Sequence, residues 1–266
     1  MQDIRDDIFR HVARRRIRAV IIADDPGILA ETGAAAEAAQ ELGLSFDRFP
    51  PEGTLVKPGD EIIQLAGEPK QIAMAEDRLI GIMAKPSGIA TSARQFVEKA
   101  GSRPRIVSGT WKKMPLSQKE VIRRAVVVGG ADCRICDKPF LYLDKNYVKI
   151  LGGITSCLDA VAGFNGYVRV IQLKNDDSDI SLEACQAVLN GAHIVFIDSG
   201  RIEDLLTVSV ALKDAGLRDG VEIAFGGNIR LENIDTLKAM DVDILDIGRA
   251  IVDAPLLDMR LEVIQV

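Results

Sequence analysis

The stretch AHIVFIDSGRIEDLLTVSVALKDAGLRDGVEIAFGGNIRLENIDTLKAMDVDILDIG, residues 192–248, contains three short apolar runs. These runs are AHIVFID, VEIAFGG and VDILDIG, and segments with helical patterning, centred near residues 208 and 235, separate them. Strands that alternate with helices of about 10–15 residues indicate βαβ units and a parallel sheet. This stretch therefore predicts an α/β fold.

Three further runs of the same kind precede this stretch: RIVSG (105–109), YVKIL (147–151) and YVRVIQL (167–173). Helical segments centred near residues 159 and 186 lie between the later ones. Six such units suit either an incomplete α/β barrel or a doubly wound sheet. In both architectures reactive side chains lie at the C-terminal ends of the strands.

The first hundred residues have a different pattern of predicted strands and helices, which indicates a separate α+β module. Residues 17–25 and 61–68 are predicted as strands, and the Ala- and Glu-rich segment 30–42 as a helix. Residues 70–100 predict a long helical stretch, interrupted at Pro86-Ser87-Gly88.

Composition narrows the class of protein. The chain has 266 residues, of which 47% are hydrophobic and 27% charged, with a net charge of −6. That charge argues against nucleic acid as a partner, since phosphate backbones favour basic surfaces. No apolar run approaches the roughly 18 residues of a membrane span, and the charged N-terminus does not resemble a secretory signal. Four cysteines predict no disulfide framework, so a cytoplasmic location is expected.

Polar residues and glycines at the predicted strand ends are candidates for a functional site. They are Lys149, Gln172 with Lys174, Asp198, Gly226-Gly227-Asn228 and Asp246 with Gly248. Glycines between a strand and a helix predict a phosphate held by backbone N–H groups at the helix N-terminus. The alternative is that these glycines only permit a tight turn.

Three segments resemble the quinolinate (nicotinate-nucleotide) phosphoribosyltransferase family. They are AEDRLIGIMAKPSGIATSARQFVE (75–98), with the serine-glycine-isoleucine-alanine-threonine turn that ends a family helix, PEGTLVKPGDEIIQLAGEPKQI (51–72) and RAIVDAPLLDMRLEVI (249–264). The resemblance implies an N-terminal α/β sandwich, residues 1–100 with the tail 252–266 returning to it, and a C-terminal incomplete α/β barrel, residues 101–251. It also implies a homodimer or higher symmetric oligomer, in which the sandwich of one subunit covers the barrel mouth of another.

The family's chemistry implies cations that grip phosphoribosyl pyrophosphate and acidic residues that hold the ribose, directly or through Mg²⁺. The family's threonine-arginine-lysine motif corresponds to Thr110-Trp111-Lys112, and its lysine-containing strand motif is placed at Val148-Lys149-Ile150. Its leucine-aspartate-asparagine strand end corresponds to Ile197-Asp198-Ser199. The resemblance therefore assigns catalysis to Lys112, Lys149 and Asp198.

Residues that would clamp the two carboxylates of quinolinate are largely replaced. The family arginine before the serine-glycine motif is Asp77, with Arg78 one residue out of phase; a second arginine is Trp111, and a histidine is Cys133. The residues expected to bind substrate are Arg134, Trp111, Gln172, Gly226, Gly227, Asn228 and Gly248. No protein metal site is predicted.

Together these features predict a phosphoribosyltransferase-like enzyme that uses Mg²⁺ and a small phosphorylated metabolite, with an aromatic acceptor other than quinolinate. The alternative is a non-catalytic paralogue that binds a phosphorylated metabolite or a protein.

Other polar features allow two interpretations each. Cys133-Arg134-Ile135-Cys136 is a CxxC that could serve metal or redox chemistry or be two ordinary loop cysteines. Trp111 could stack on a heteroaromatic base or pack between domains, and His193 is interpreted as structural. The acidic segment NDDSD (175–179) could bind Mg²⁺.

Overall fold

The structure is a computed structural model that describes residues 3–173 and 179–266. The chain folds into two compact units. Unit 1 contains residues 1–94, 114–130 and 253–266, and unit 2 contains residues 95–113 and 131–252. Segment 114–130 thus groups with unit 1, whereas the sequence-based boundary places it in the second domain. None of the helices in the described ranges is long and apolar enough to cross a bilayer.

Unit 1 is built around a three-stranded antiparallel sheet in the order β11–β1–β4. Its strands are β1 (Ile17–Ala23), β2 (Gly27–Ile28), β3 (Leu55–Val56), β4 (Glu61–Gly67) and β11 (Met259–Gln265). Its helices are α1 (Ile4–Ile8), α2 (Thr32–Glu41), α3 (Pro69–Ala75), the first part of α4 (Gly81–Ala100) and α5 (Leu116–Val128). The tail strand β11 pairs with β1, as the sequence predicted.

The long helical segment of unit 1 is interrupted at a different place from the predicted one. A π-helical turn occupies Glu76–Ile80, and α4 then runs without a break through Pro86-Ser87-Gly88. The prediction of an interruption at Pro86, and of a turn at residues 87–91, is therefore wrong. Tertiary contacts hold this segment helical, because the buried Ser87 hydroxyl accepts a hydrogen bond from Ala30 N and a methyl group on Gly88 would overlap the Pro255 carbonyl.

Unit 2 contains a six-stranded parallel sheet in the order β5–β10–β9–β8–β7–β6. Its strands are β5 (Arg105–Val107), β6 (Phe140–Leu143), β7 (Val168–Leu173), β8 (Ile194–Ile197), β9 (Glu222–Gly226) and β10 (Ile244–Asp246). Its helices are α6 (Lys145–Leu151), α7 (Ile154–Ala160), α8 (Ile180–Leu189), α9 (Ile202–Asp214), α10 (Ile234–Leu237) and α11 (Arg249–Val252). Short 3-10 helices span Thr110–Lys113, Arg218–Gly220 and Leu231–Asn233.

The sheet of unit 2 curls into an incomplete barrel. Alternate strand residues form one apolar interior cluster, as expected when successive side chains point to opposite faces. Its members are Val107, Ile135, Val170, Ile194, Phe196, Ala224 and Ile244, with Phe140, Tyr142 and Val168 packed against them. Strands β5 and β6 form the two edges of the sheet, yet side chains from both strands belong to this apolar cluster or pack against it. The predicted fold class, an α/β sandwich with an incomplete α/β barrel, is confirmed.

One predicted strand of unit 2 is wrong. Residues 147–151 belong to helix α6. The strand in this part of the chain is β6, which begins seven residues before the predicted one, at Phe140. Asp144 ends β6 and caps α6, because its carboxylate accepts hydrogen bonds from Asn146 N (2.8 Å) and Tyr147 N (3.1 Å). Gly152, with a φ of 81°, ends the helix. These local caps override the β propensity of the apolar run, so Lys149 is not at a strand end.

Candidate active site

Polar side chains from four strands and one 3-10 helix meet at the C-terminal ends of the unit 2 strands. They are Tyr142 on β6, Gln172 on β7, Asp198 after β8, Asp246 on β10 and Lys112 after β5. The parallel sheet explains this meeting, since all its strands end at the same edge.

Gln172 and Asp198 are joined directly. Gln172 Nε2 donates to Asp198 Oδ2 at 2.5 Å, and Gln172 Oε1 accepts from Lys145 N at 3.0 Å. Both groups of the Gln172 amide are thus engaged, which fixes its orientation. Asp198 is half-buried, and within residues 3–173 and 179–266 no donor reaches its second carboxylate oxygen. The structure therefore brings together two of the residues that the sequence predicted.

Lys112 lies above the ring of Tyr142. Lys112 Nζ is 5.2 Å from the ring centroid, within the range of a cation–π interaction. The ring also neighbours Phe196, whose ring centroid lies 6.1 Å away. Burial raises the pKa of the Tyr142 hydroxyl, and the carboxylates of Asp198, Asp246 and Asp144 raise it further. Tyr142 is therefore a neutral hydrogen-bond donor surrounded by carboxylates.

Asp246 lies next to this tyrosine. Its Oδ1 accepts a hydrogen bond from Gly109 N at 3.1 Å. Burial raises the pKa of this carboxyl group, and the nearby charge of Asp198 acts in the same direction. The Gly109 N–H and the charges of Lys112 and Lys113 oppose the shift. Asp246 thus combines a partly buried carboxylate with a fixed orientation.

The predicted phosphate-binding glycines are closely packed by protein. A methyl group on Gly226 would lie 2.9 Å from the Phe196 ring, and one on Gly227 would lie 2.6 Å from Gly200 N. Gly227 has a φ of 110°, which a side chain would strain.

The neighbouring Gly248 and Asn228 are also constrained. A methyl group on Gly248 would lie 2.7 Å from Thr110 Oγ1. Asn228 has a φ of 51°, and its side-chain oxygen is 3.5 Å from Arg249 Nη2. The tight-turn interpretation thus has direct support at these positions, while phosphate binding by their backbone stays a prediction.

Two of the replaced clamp positions contact each other. The Trp111 indole N–H donates to the Cys133 carbonyl at 2.9 Å. The adjacent Arg134 guanidinium lies 5.2 Å from the Phe140 ring centroid. Burial raises the pKa of the Cys136 thiol, which disfavours the thiolate that metal or redox chemistry needs. Within residues 3–173 and 179–266 no group of three His, Cys, Asp or Glu side chains could hold a metal ion.

Several predicted positions lie away from these residues. Lys149 is exposed on α6. In unit 1, Asp77 pairs with Arg5 at 2.9 Å and Arg78 with Glu41 at 2.5 Å. Lys174 and residues 175–178 of the acidic segment lie outside the described residues. Asp179 is described, and its carboxylate caps α8 through Ser181 N at 2.9 Å.

Sequence reasoning missed Tyr142 entirely and gave Asp246 no role. The signal for Tyr142 was the run FLYLD (140–144), in which Phe140, Tyr142 and Asp144 alternate with two leucines. That period of two is typical of a strand with one polar end. Because the later run YVKIL (147–151) was predicted as the strand, FLYLD was not recognised as one.

Comparison with known proteins places the whole chain in one family. Residues 4–87 match the quinolinate phosphoribosyl transferase N-terminal domain, and residues 89–262 match the C-terminal domain. A probable nicotinate-nucleotide pyrophosphorylase (carboxylating) of Archaeoglobus fulgidus is 28% identical over 96% of this chain and 97% of its own length. The human nicotinate-nucleotide pyrophosphorylase is 26% identical over 92% of this chain and 82% of its own.

Solved structures agree on the fold. The nicotinate-nucleotide pyrophosphorylase of Pyrococcus furiosus has a TM-score of 0.85 at 21% identity and covers 98% of this chain, which spans 72% of that one. The NadC structure from Streptococcus pyogenes has a TM-score of 0.81 at 18% identity, with 100% and 93% coverage. With both domain models matched across its length, this chain belongs to the quinolinate phosphoribosyltransferase family.

Proposed function

We propose that this protein is a phosphoribosyltransferase of the nicotinate-nucleotide pyrophosphorylase type whose aromatic acceptor is not quinolinate. Family membership supports the transfer of phosphoribosyl from phosphoribosyl pyrophosphate. The aromatic and acidic character of the barrel mouth supports a different acceptor.

The observation that carries the proposal is the contact between Trp111 and Cys133. These residues stand where the resemblance implies an arginine and a histidine, and the indole N–H is committed to the Cys133 carbonyl at 2.9 Å. Neither side chain supplies a positive charge for a carboxylate. A dicarboxylate acceptor needs charge-assisted, preferably bidentate, hydrogen bonds, which Trp and Cys cannot make.

The phosphoribosyl half of the proposed site depends on Lys112 and Asp198. Lys112 offers a positive charge to the pyrophosphate, and Asp198 offers a carboxylate oxygen to the ribose hydroxyls. Gln172 holds Asp198 in place through its 2.5 Å hydrogen bond. As C1′ loses pyrophosphate it acquires positive charge, which a nearby carboxylate stabilises.

Mg²⁺ would enter this site with the pyrophosphate. The described residues provide no three-ligand cage of their own. Mg²⁺ commonly binds through one or two carboxylates together with substrate phosphates and water. The carboxylates of the site are thus compatible with a Mg²⁺ ion that arrives bound to the substrate. The ion would neutralise the charge of the departing pyrophosphate.

A ligand screen tests the proposal. Phosphoribosyl pyrophosphate with Mg²⁺ is expected to raise the melting temperature of the protein, because a ligand that binds only the native state stabilises it. Pyrophosphate release with a panel of heteroaromatic acceptors then tests for turnover. Binding without turnover of any acceptor would instead favour a non-catalytic paralogue that binds a phosphorylated metabolite. A flat melting temperature would contradict both functions.

Substitution of Lys112 or Asp198 is expected to weaken binding of phosphoribosyl pyrophosphate about tenfold or more. Each change removes one hydrogen bond to a charged group, worth about 1.5–3 kcal/mol. Titration calorimetry of Lys112→Ala and Asp198→Asn measures the loss. The sequence also predicts weaker binding for Lys149→Ala, but Lys149 lies on an exposed helix, so a smaller effect is expected there. Equal affinity of Lys112→Ala, Asp198→Asn and the unmodified protein would remove the pocket assignment.

The protein is expected to be a homodimer or a higher symmetric oligomer. The expectation comes from the family resemblance of segment 75–98, which implies a position near the barrel mouth of a neighbouring subunit. Light scattering at micromolar concentration checks it. A monomeric mass under those conditions would contradict the expectation.

A further inference from the structure

The carboxylate of Asp246 has no role in the function proposed above. Its Oδ1 is held by Gly109 N at 3.1 Å, and across residues 3–173 and 179–266 no donor reaches Oδ2. The residue is half-buried rather than enclosed, at the C-terminal end of β10. One oxygen is thus fixed by the backbone while the other remains available at the barrel mouth.

The groups around Asp246 come from each element packed against it. Lys112 and Lys113 of the 3-10 helix are positive, Asp198 after β8 is negative, and the Tyr142 hydroxyl on β6 is neutral. Gly226 on β9 presents no side chain, and a methyl group there would lie 3.5 Å from Asp246 Cβ. The carboxylate therefore lies near a glycine, an aromatic ring and a lysine.

We propose that Asp246 is the general base of the reaction, and that the acceptor is a heteroaromatic lactam or imide whose attacking ring nitrogen carries a hydrogen. This inference rests on the proposed phosphoribosyl transfer. The acceptor nitrogen forms a bond to C1′, and the bond between C1′ and the pyrophosphate oxygen breaks. Pyrophosphate leaves with that electron pair, and the proton of the ring nitrogen passes to Asp246 Oδ2.

A lactam or imide acceptor needs a base, whereas a pyridine acceptor does not. A pyridine nitrogen attacks through a free lone pair and has no proton to lose, whereas a lactam or imide nitrogen must lose its proton to give a neutral product. A carboxylate beside the ring also attracts an N–H group and repels a ring carboxylate. Asp246 therefore favours lactam or imide acceptors over pyridine carboxylates.

Asp198 is less suited to this task. Its Oδ2 is already occupied by the hydrogen bond from Gln172 Nε2 at 2.5 Å, and the proposed function assigns this carboxylate to the ribose hydroxyls. Asp246 is the better base, because burial and the charge of Asp198 raise its pKa. General-base catalysis by a positioned carboxylate typically contributes about 10²–10⁴-fold.

The test compares two acceptor classes and two variants. Pyrophosphate release from phosphoribosyl pyrophosphate with Mg²⁺ is measured with hypoxanthine and uracil, which carry ring N–H groups, and with nicotinate, which does not. Asp246→Asn keeps an oxygen for Gly109 N but cannot take a proton. Asp214→Asn, at the exposed end of α9, makes the same chemical change away from the site.

We expect an N–H acceptor to be the better substrate and Asp246→Asn to lower its turnover about 100-fold or more, with Asp214→Asn unchanged. Calorimetric affinity for phosphoribosyl pyrophosphate should stay within threefold in Asp246→Asn. In the unmodified protein, turnover of the N–H acceptor should rise with pH through the raised pKa of Asp246. This measurement uses the unmodified protein, so it does not depend on whether a variant folds.

Three results would overturn the inference while leaving phosphoribosyl pyrophosphate binding intact. They are better turnover of nicotinate than of both N–H acceptors, full activity of Asp246→Asn, and a pH profile without the acidic limb. Failure of the unmodified protein to bind phosphoribosyl pyrophosphate would instead remove the proposed function itself.

Discussion

Quinolinate is expected to be converted to nicotinate mononucleotide at least about a thousandfold more slowly than the turnover of ordinary enzymes, roughly 10 s⁻¹. The three positions that the resemblance assigns to its carboxylate clamp hold Asp77, Trp111 and Cys133. Each lost charge-assisted hydrogen bond costs about 1.5–3 kcal/mol. Three additive losses would cost roughly three to six orders of magnitude at about 1.4 kcal/mol for each factor of ten. Neighbouring groups are seldom additive, so the expected loss is placed at the lower end of that range.

In the structure Arg78 does not restore the lost charge, because it is engaged with another residue. Arg78, one residue from Asp77, is paired with Glu41 at 2.5 Å, and Asp77 itself is paired with Arg5. Restoring the clamp with Trp111→Arg and Cys133→His should therefore raise quinolinate turnover, whereas Trp111→Phe should not. A kcat near roughly 1–10 s⁻¹ for the unmodified protein, measured as nicotinate mononucleotide formed with Mg²⁺ present, would show that the replacements have no consequence.

The fold could be predicted from the sequence wherever pattern and local chemistry agree. Strands β8 to β10 combine apolar runs with glycine or aspartate at their ends, and each lies where it was predicted. The failures have different causes. At residues 147–151 the local helix caps at Asp144 and Gly152 outweigh the β propensity of an apolar run. Pro86 in α4 is held helical by packing at Ser87 and Gly88, and such long-range contacts cannot be seen in the local sequence.

The candidate site could be predicted only in part. Gln172 and Asp198 each end a recognisable strand, and the structure joins them. Tyr142 could not be found, because two apolar runs compete for one strand and the helix cap at Asp144 decides between them. The place of Asp246 next to Tyr142 depends on how the sheet curls, because β6 is at one edge of the sheet and β10 is next to the other edge. Periodicity along the chain contains no information on that curl.

Replacement of Arg218 by methionine is expected to lower the free energy of unfolding by up to about 3 kcal/mol, because its ion pairs are partly buried and removal of one partner of a fully buried pair costs about 3–5 kcal/mol. The Arg218 side chain is only 17% exposed. Its guanidinium donates to Asp241 Oδ1 at 2.7 Å, to Asp243 Oδ2 at 2.8 Å and to the Val221 carbonyl at 2.7 Å. Methionine fills similar space but leaves two carboxylates without their main partner.

The pH dependence identifies the mechanism of this loss. Hydrogen bonds from Arg218 hold the pKa of Asp241 well below its ordinary value of 3.8, and Lys213 and Ser209 add to the effect. A depressed folded-state pKa contributes stability that is present above about pH 4 and is lost as the pH falls through the folded value. The difference between Arg218→Met and the unmodified protein should therefore be largest near pH 7 and shrink below about pH 4.

Chemical denaturation followed by fluorescence provides the measurement, because Trp111 is the single tryptophan of the chain and lies in unit 2. Arg230→Met is the matched control. Arg230 is 76% exposed and pairs with Glu232 at 3.8 Å, so its loss should cost no more than about 1 kcal/mol. Equal stability of Arg218→Met and Arg230→Met at pH 7 would show that the network does not stabilise unit 2.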